Sequence, residues 1–193
     1  MLHLDMHGHN LVFKTDPEVF SPQNLDRGTA AMLSIVEFKP EDRVLDLGCG
    51  YGVVGILAAK LVGQEQIVMV DVDPLAVRLS KENAAFNQVP NVTIYQSDGF
   101  RDFTDTGFSL ILSNPPYHTN FSVPKAFIEK GFNRLMMGGR MYMVTKRKEW
   151  YKNKFIAIFG GVQIMEIDGY YVFMGEKKDK QYANRRTKPH HRS

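Results

Sequence analysis

From Pro40 onward, short apolar runs alternate with longer stretches in which apolar residues recur every three or four positions. The short runs, rich in β-branched residues, read as buried strands, and the longer spacing reads as helices packed by one face. Strands are predicted at 43–47, 66–71, 92–95, 109–113, 139–145, 162–167 and 170–175. Helices are predicted at 53–61, 74–87, 123–135 and 149–159, with only a short turn in the third connection. Regular alternation implies a parallel sheet with helices on both faces, because right-handed crossovers carry each helix over the sheet. The last two runs are separated only by Asp168-Gly169, a strong hairpin signal. The expected fold is α/β, with seven strands, mostly parallel, and an antiparallel last strand.

Ahead of Pro40 the pattern differs. Two extended pieces, 2–6 and 10–14, flank His7-Gly8-His9 and read as a small N-terminal hairpin. His7 and His9 are taken as turn residues, since no further His or Cys stands near them at a metal-ligand spacing, and no metal is expected. A helix is predicted at 23–36, with Leu25, Ala30, Met32, Leu33 and Val36 on its apolar face.

Composition narrows the class. A chain of 193 residues with 44% apolar and 23% charged residues suits one globular domain, assigned to residues 1–175, and fits neither a disordered nor a membrane class. No run approaches the ~18 apolar residues of a membrane span. With Cys49 as the lone cysteine, no intramolecular disulfide can form, and a reducing cytoplasm is expected. The net charge of +3 hides an asymmetry: residues 176–193 hold seven Lys or Arg against two acids, a local +5 that leaves the body at −2. This segment is expected to be a flexible basic tail, suited either to phosphate neutralisation or simply to solvation. The patterning fixes no oligomeric state.

The candidate chemistry begins after the first of the seven strands, at Asp46-Leu47-Gly48-Cys49-Gly50-Tyr51-Gly52-Val53-Val54-Gly55. Glycines let the backbone turn sharply and approach a ligand, and the following helix N-terminus offers free N–H groups to an anion. Gly50, Gly52 and Gly55, with Asp71 about 20 residues on, also match a dinucleotide fingerprint, so a nicotinamide enzyme is a rival. The earlier glycines and Asp46 widen the loop and place an acid where a cationic amine would sit. A ligand with an amino acid at one end and a nucleoside at the other satisfies the whole set. Asp46 would face the α-amino group, Asp71 the ribose hydroxyls, and Asp98, in Ser97-Asp98-Gly99, the adenine amine. Asp73 is read as the cap of the helix opened by Pro74, and Cys49 as a small loop residue.

Asn114-Pro115-Pro116-Tyr117 closes the fourth strand, at the sheet edge where open α/β folds bind ligands. Two prolines restrict its backbone, which suits a positioning site. A base or amide nitrogen is a poor nucleophile because its lone pair is delocalised. The Asn114 oxygen and the Pro115 carbonyl can each accept one N–H and localise that pair, while Tyr117 stacks on the planar group. An activated sulfonium methyl needs neither a strong base nor a metal to react with such a nitrogen.

Together with Phe13-Lys14-Thr15-Asp16, Val19-Phe20-Ser21 and Leu25-Asp26-Arg27-Gly28-Thr29, these motifs resemble the class I S-adenosylmethionine methyltransferases, in particular short single-domain relatives of the small-subunit ribosomal RNA guanine-N2 enzymes. The resemblance implies a Rossmann-like fold and S-adenosylmethionine as cofactor. Asp46, Gly48, Cys49, Gly50, Asp71, Val72, Asp98, Gly99 and Asn114 would then hold the cofactor. Residues 1–36, through Phe20 and Thr29, would close over its methionine end, and Asn114, Pro115, Pro116 and Tyr117 would hold the amine. Guanine in ribosomal or other RNA is the implied acceptor. A glutamine side-chain amide presents the same planar NH₂ and stands as the alternative, with a DNA adenine behind it. The larger ribosomal enzymes carry a second, amino-terminal copy of the domain that is absent from these 193 residues.

Overall fold

The computed structural model describes residues 1–116 and 120–186. Among them, β1 (Leu2–Met6) and β2 (His9–Phe13) form the antiparallel N-terminal hairpin. His7 and Gly8 take φ of 47° and 79°, the doubly positive pair a two-residue hairpin turn requires. Next comes α1 (Arg27–Leu33). The alternating body follows as β3 (Val44–Leu47), α2 (Val53–Val62), β4 (Ile67–Asp71), α3 (Pro74–Phe86), β5 (Thr93–Gln96), β6 (Phe108–Ser113) and α4 (Ser122–Arg134). It closes with β7 (Leu135–Thr145), α5 (Glu149–Phe159), β8 (Gln163–Ile167) and β9 (Tyr170–Glu176).

The main sheet has the order β5-β4-β3-β6-β7-β9-β8. The first five positions are parallel, and β9 runs antiparallel to both its neighbours, wedged between β7 and β8. Asp168 and Gly169, at φ of 54° and 79°, make the turn that lets β9 fold back. The chain winds outward from β3 to β5, then returns to β6 on the other side of β3. The carboxyl ends of β3 and β6 therefore open a crevice at the point of reversal.

Strand alternation distributes the core to two faces. Val44, Ile67 and Met69 pack with α1, α2 and α3, whereas Leu45, Leu47, Val68 and Val70 pack with α4 and α5. Both faces are covered, which explains the near-continuous apolar runs of β3 and β4. The hairpin is held by two buried asparagines of α3. Asn83 Oδ1 accepts from the Lys14 N–H (2.7 Å) and its Nδ2 donates to the carbonyls of Lys14 and Tyr51. Asn87 pairs in the same way with both backbone groups of Val12.

Two expectations are corrected. The helix predicted at 23–36 is shorter, because Ser21 adopts a positive φ of 52° and the Asp26 side chain accepts from the Thr29 N–H, so that helical structure starts at Arg27. Its end tightens as the N–H groups of Ile35 and Val36 converge on the Met32 carbonyl. The basic tail expected to begin at 176 is docked through 186. β9 extends to Glu176, Lys177 is buried with Nζ donating to the Leu135 carbonyl (3.0 Å), and Tyr182 Oη donates to Glu129 (2.9 Å). Residues 187–193 lie outside the described residues.

Candidate active site

The turn from β3 to α2 is stitched to the neighbouring strand. The N–H groups of Gly48 and Cys49 both donate to the Val70 carbonyl (2.9 and 2.8 Å). Asp71, at the tip of β4, accepts from the Gly50 N–H through Oδ2 (2.9 Å) and from the Asp73 N–H through Oδ1 (3.0 Å). From α3, Ser80 Oγ donates to the Gly50 carbonyl (2.8 Å). Gly48 and Gly50 have φ of 78° and 56°, and a Cβ at either would meet open space. Their need for glycine is therefore conformational, and the space beside them is available to a ligand.

Asp46 is 3% exposed, and its Oδ2 accepts from the Gly55 N–H at 2.8 Å. Burial pushes its carboxyl up to about 7, opposed by that N–H and reinforced by the Asp71 charge. A cation arriving beside it would restore the carboxylate. Cys49 is buried against Ser80, and its thiol is pushed up by burial and by Asp46 and Asp71, which removes thiolate reactivity.

The loop before α1 folds over this turn. Tyr51 Oη donates to the Ser21 carbonyl (3.0 Å) and Thr15 Oγ1 to that of Pro22 (2.7 Å). Phe20, 57% exposed, stands at the rim. The motif 25–29 is spent residue by residue. Asp26 caps α1, Arg27 forms a two-pronged pair with Asp168 (2.9 and 2.6 Å), and Gly28 meets the Tyr170 ring where a Cβ would lie 2.9 Å from it.

Asn114 joins the two halves. Its Nδ2 donates to Asp26 Oδ2 (2.7 Å) and to Thr29 Oγ1 (3.1 Å). A carboxylate only accepts, so the NH₂ must face Asp26, and the carbonyl oxygen is left as the acceptor for a third party. Behind it, Ser113 Oγ donates to the Leu47 carbonyl (2.9 Å), tying the ends of β6 and β3 together.

A cavity of about 380 Å³ fills the crevice. Its lining brings together Asp46, Gly48, Cys49, Gly50, Asp71, Val72, Asp98 and Gly99 with Phe20 and Thr29. Asn114, Pro115 and Pro116 close it. Val72, 60% exposed, offers an apolar surface, and Asp98 is held by its own N–H donating to Asp102 (3.1 Å). The volume and the polar groups spaced along the cavity fit an elongated nucleoside with an amino-acid end. Tyr117 lies outside the described residues. Met32, read in the sequence only as a helix-face residue, and Val123 and Phe127, which fall within the helix predicted at 123–135, also line the cavity.

Residues 10–174 match the methyltransferase small domain family. The chain is 34% identical over 174 residues to YbxB of Bacillus subtilis (strain 168), covering 87% of each. It is 36% identical over 162 residues to ribosomal RNA small subunit methyltransferase C of Pseudomonas putida (strain GB-1), covering 81% of this chain and 48% of that protein. Thus it spans about half the length of the ribosomal RNA methyltransferases it matches. The Thermus thermophilus 16S rRNA N2 G1207 methyltransferase, solved with AdoMet and guanosine, superposes with a TM-score of 0.82 at 25% identity over 91% of this chain and 50% of that one. A Pyrococcus furiosus methyltransferase of similar length shares the fold, with a TM-score of 0.72 at 17% identity over 88% and 90% of the two chains.

Proposed function

The chain belongs to the methyltransferase small domain family, and on that premise we propose that it is an S-adenosylmethionine-dependent N-methyltransferase acting on the 2-amino group of guanine in RNA, ribosomal RNA foremost. The observation that carries this reading is the orientation of Asn114, whose NH₂ is committed to Asp26 and Thr29. Its oxygen and the Pro115 carbonyl can then accept the two protons of an exocyclic amine, turning the nitrogen lone pair towards the cofactor side of the cavity.

When bound, S-adenosylmethionine supplies a methyl group on a positively charged sulfur. Asp46 would face its α-amino end, Asp71 the ribose hydroxyls and Asp98 the adenine amine, with Val72 against the ring. Phe20 and Thr29 would cover the methionine end, residues 1–36 thereby acting with the rest of 1–175 as one domain. The methyl carbon would be the electrophile for the amine nitrogen, with the thioether sulfur as the leaving group. The surplus proton leaves to water or a nearby carbonyl, and holding the amine in line is the protein's main contribution. The guanosine bound by the Thermus relative supports guanine as the base. A cytoplasmic location goes with an RNA acceptor as part of the same reading.

The test is to incubate the protein with radiolabelled S-adenosylmethionine and total RNA, protein and DNA from a strain lacking the gene. Label should enter RNA and emerge on hydrolysis as N2-methylguanine. Label appearing instead as methylglutamine in protein, or as methyladenine in DNA, refutes the RNA assignment.

A further inference from the structure

Three consecutive cations, Lys146, Arg147 and Lys148, follow directly on β7 and are exposed. Among the described residues none of them forms an ion pair. Each instead lies over an aromatic ring: Lys146 Nζ 5.1 Å from the Tyr170 centroid, Arg147 Cζ 5.2 Å from Phe121, and Lys148 Nζ 5.7 Å from Tyr171. A ring under a cation holds the charge in place without neutralising it. These are positioned charges with their electrostatic capacity unspent.

Their position in the sheet relates them to the acceptor corner. In the parallel β6–β7 pair Ser113 is in register with Met143, so Asn114 and Lys146 leave adjacent strands at the same edge, one and three residues beyond that pair. With strands about 4.8 Å apart and about 3.3 Å per residue, their backbones are on the order of 10 Å apart. Phe121, at the start of α4, is also tied to the cations, its ring stacking on Trp150 at 4.5 Å beneath Arg147. The docked basic segment lies elsewhere. The Lys177 N–H donates to the Gly139 carbonyl, near the start of β7 and at the opposite end of the strand from Thr145. Its described cations are therefore remote from the crevice.

We propose that Lys146, Arg147 and Lys148 form a phosphate-binding ledge that grips the RNA backbone beside the target nucleotide, a role for which the basic C-terminal segment was one candidate and solvation its alternative. This rests on the RNA reading above. Three cations presented in a row match the repeating negative charge of a nucleic-acid strand, and the contact is independent of sequence. Base choice stays with the Asn114 corner.

The test uses the full chain with Lys146→Gln and Lys148→Gln together, which leaves Arg147 over Phe121, and the triple variant that adds Arg147→Gln. RNA affinity is measured directly by filter binding across salt concentrations, with S-adenosylhomocysteine affinity and thermal melting as folding controls. Each single-strand phosphate contact contributes about 0.7 to the slope of log affinity against log salt. The double variant should flatten the slope by about 1.4 and the triple by about 2, with affinity near 0.15 M salt weakened roughly tenfold to a hundredfold. An unchanged slope and affinity in the triple variant overturn the ledge, as does a loss confined to a protein acceptor. Because binding is read without turnover, a ledge variant that loses RNA affinity while the wild-type protein methylates no RNA would support the ledge and refute the acceptor assignment separately.

Discussion

Asp26 Oδ2 accepts hydrogen bonds from both the Thr29 backbone N–H (2.8 Å) and the Asn114 side-chain amide (2.7 Å), although Asn114 lies 88 residues away in the chain. One carboxylate oxygen thus starts α1 and sets the rotation of the acceptor amide. Asp26→Ala should lower stability by about 1 kcal/mol through the lost cap and reduce single-turnover methyl transfer about tenfold by freeing Asn114 to rotate. Asp26→Asn keeps an acceptor oxygen and should recover most of both. Equal transfer rates in Asp26→Ala and wild type would show the contact to be idle.

Removing the amide itself should be far costlier to chemistry than to cofactor binding. Asn114→Ala is expected to lower kcat by about 100-fold or more, with S-adenosylhomocysteine affinity within a few-fold of wild type. Asn114→Asp is nearly the same shape but sets a second carboxylate against Asp26, and should do no better. The check is calorimetry alongside initial rates. A parallel collapse of affinity in Asn114→Ala would move the residue's main role from the acceptor to the cofactor.

Asp46 should make both stability and cofactor binding depend on pH. Its folded carboxyl, at about 7, lies above the unfolded carboxylate range. Between those values the folded state holds more protons than the unfolded one, so stability of the ligand-free protein should fall as pH rises from about 4 to about 7 and then level off. A cationic amine beside Asp46 favours its charged form. S-adenosylhomocysteine affinity should therefore rise from pH 5.5 to 7.5, with net proton release in calorimetry across buffers of different ionisation enthalpy. Replacing Asp46 by Asn should abolish the proton release.

Gly28→Ala tests the seating of α1. The added Cβ would lie 2.9 Å from a Tyr170 ring carbon and 3.1 Å from Asp26 Oδ2, so helix or ring must shift. A cost on the order of 1–3 kcal/mol is expected, with weakened cofactor binding because Thr29 and Asp26 move with the helix. Pairing it with Tyr170→Leu, which removes the ring edge, should restore part of the loss.

The sheet was legible because its strands are buried on both faces, and runs such as Val44 to Leu47 and Ile67 to Val70 need only their immediate neighbours to be recognised. Local chemistry marked the Asp168-Gly169 turn and the Asp73 cap, which accepts from the Leu75 N–H. The misreadings share a physical origin in distant partners. The segment before α1 is held by Tyr51 reaching Ser21, and the docking of Lys177 depends on the Leu135 carbonyl and the Phe132 ring. Asn83 and Asn87 look like ordinary polar helix positions until the hairpin they bind is in place. The cavity residues stood out through glycines, prolines and acids. Asp26 stood inside the helix predicted at 23–36, and neither its capping role nor its bond to Asn114 was visible along the chain.

The seating of Gly28 against Tyr170 has a consequence for synthesis. The Arg27–Asp168 pair is exposed and contributes little by itself, so apolar packing that includes Tyr170 and Val172 holds α1 to the final hairpin. A ribosome-bound nascent chain emitted only through β7 would lack that fastening. The seat of α1 should therefore form late in folding of the newly made chain, after Tyr170 has been added.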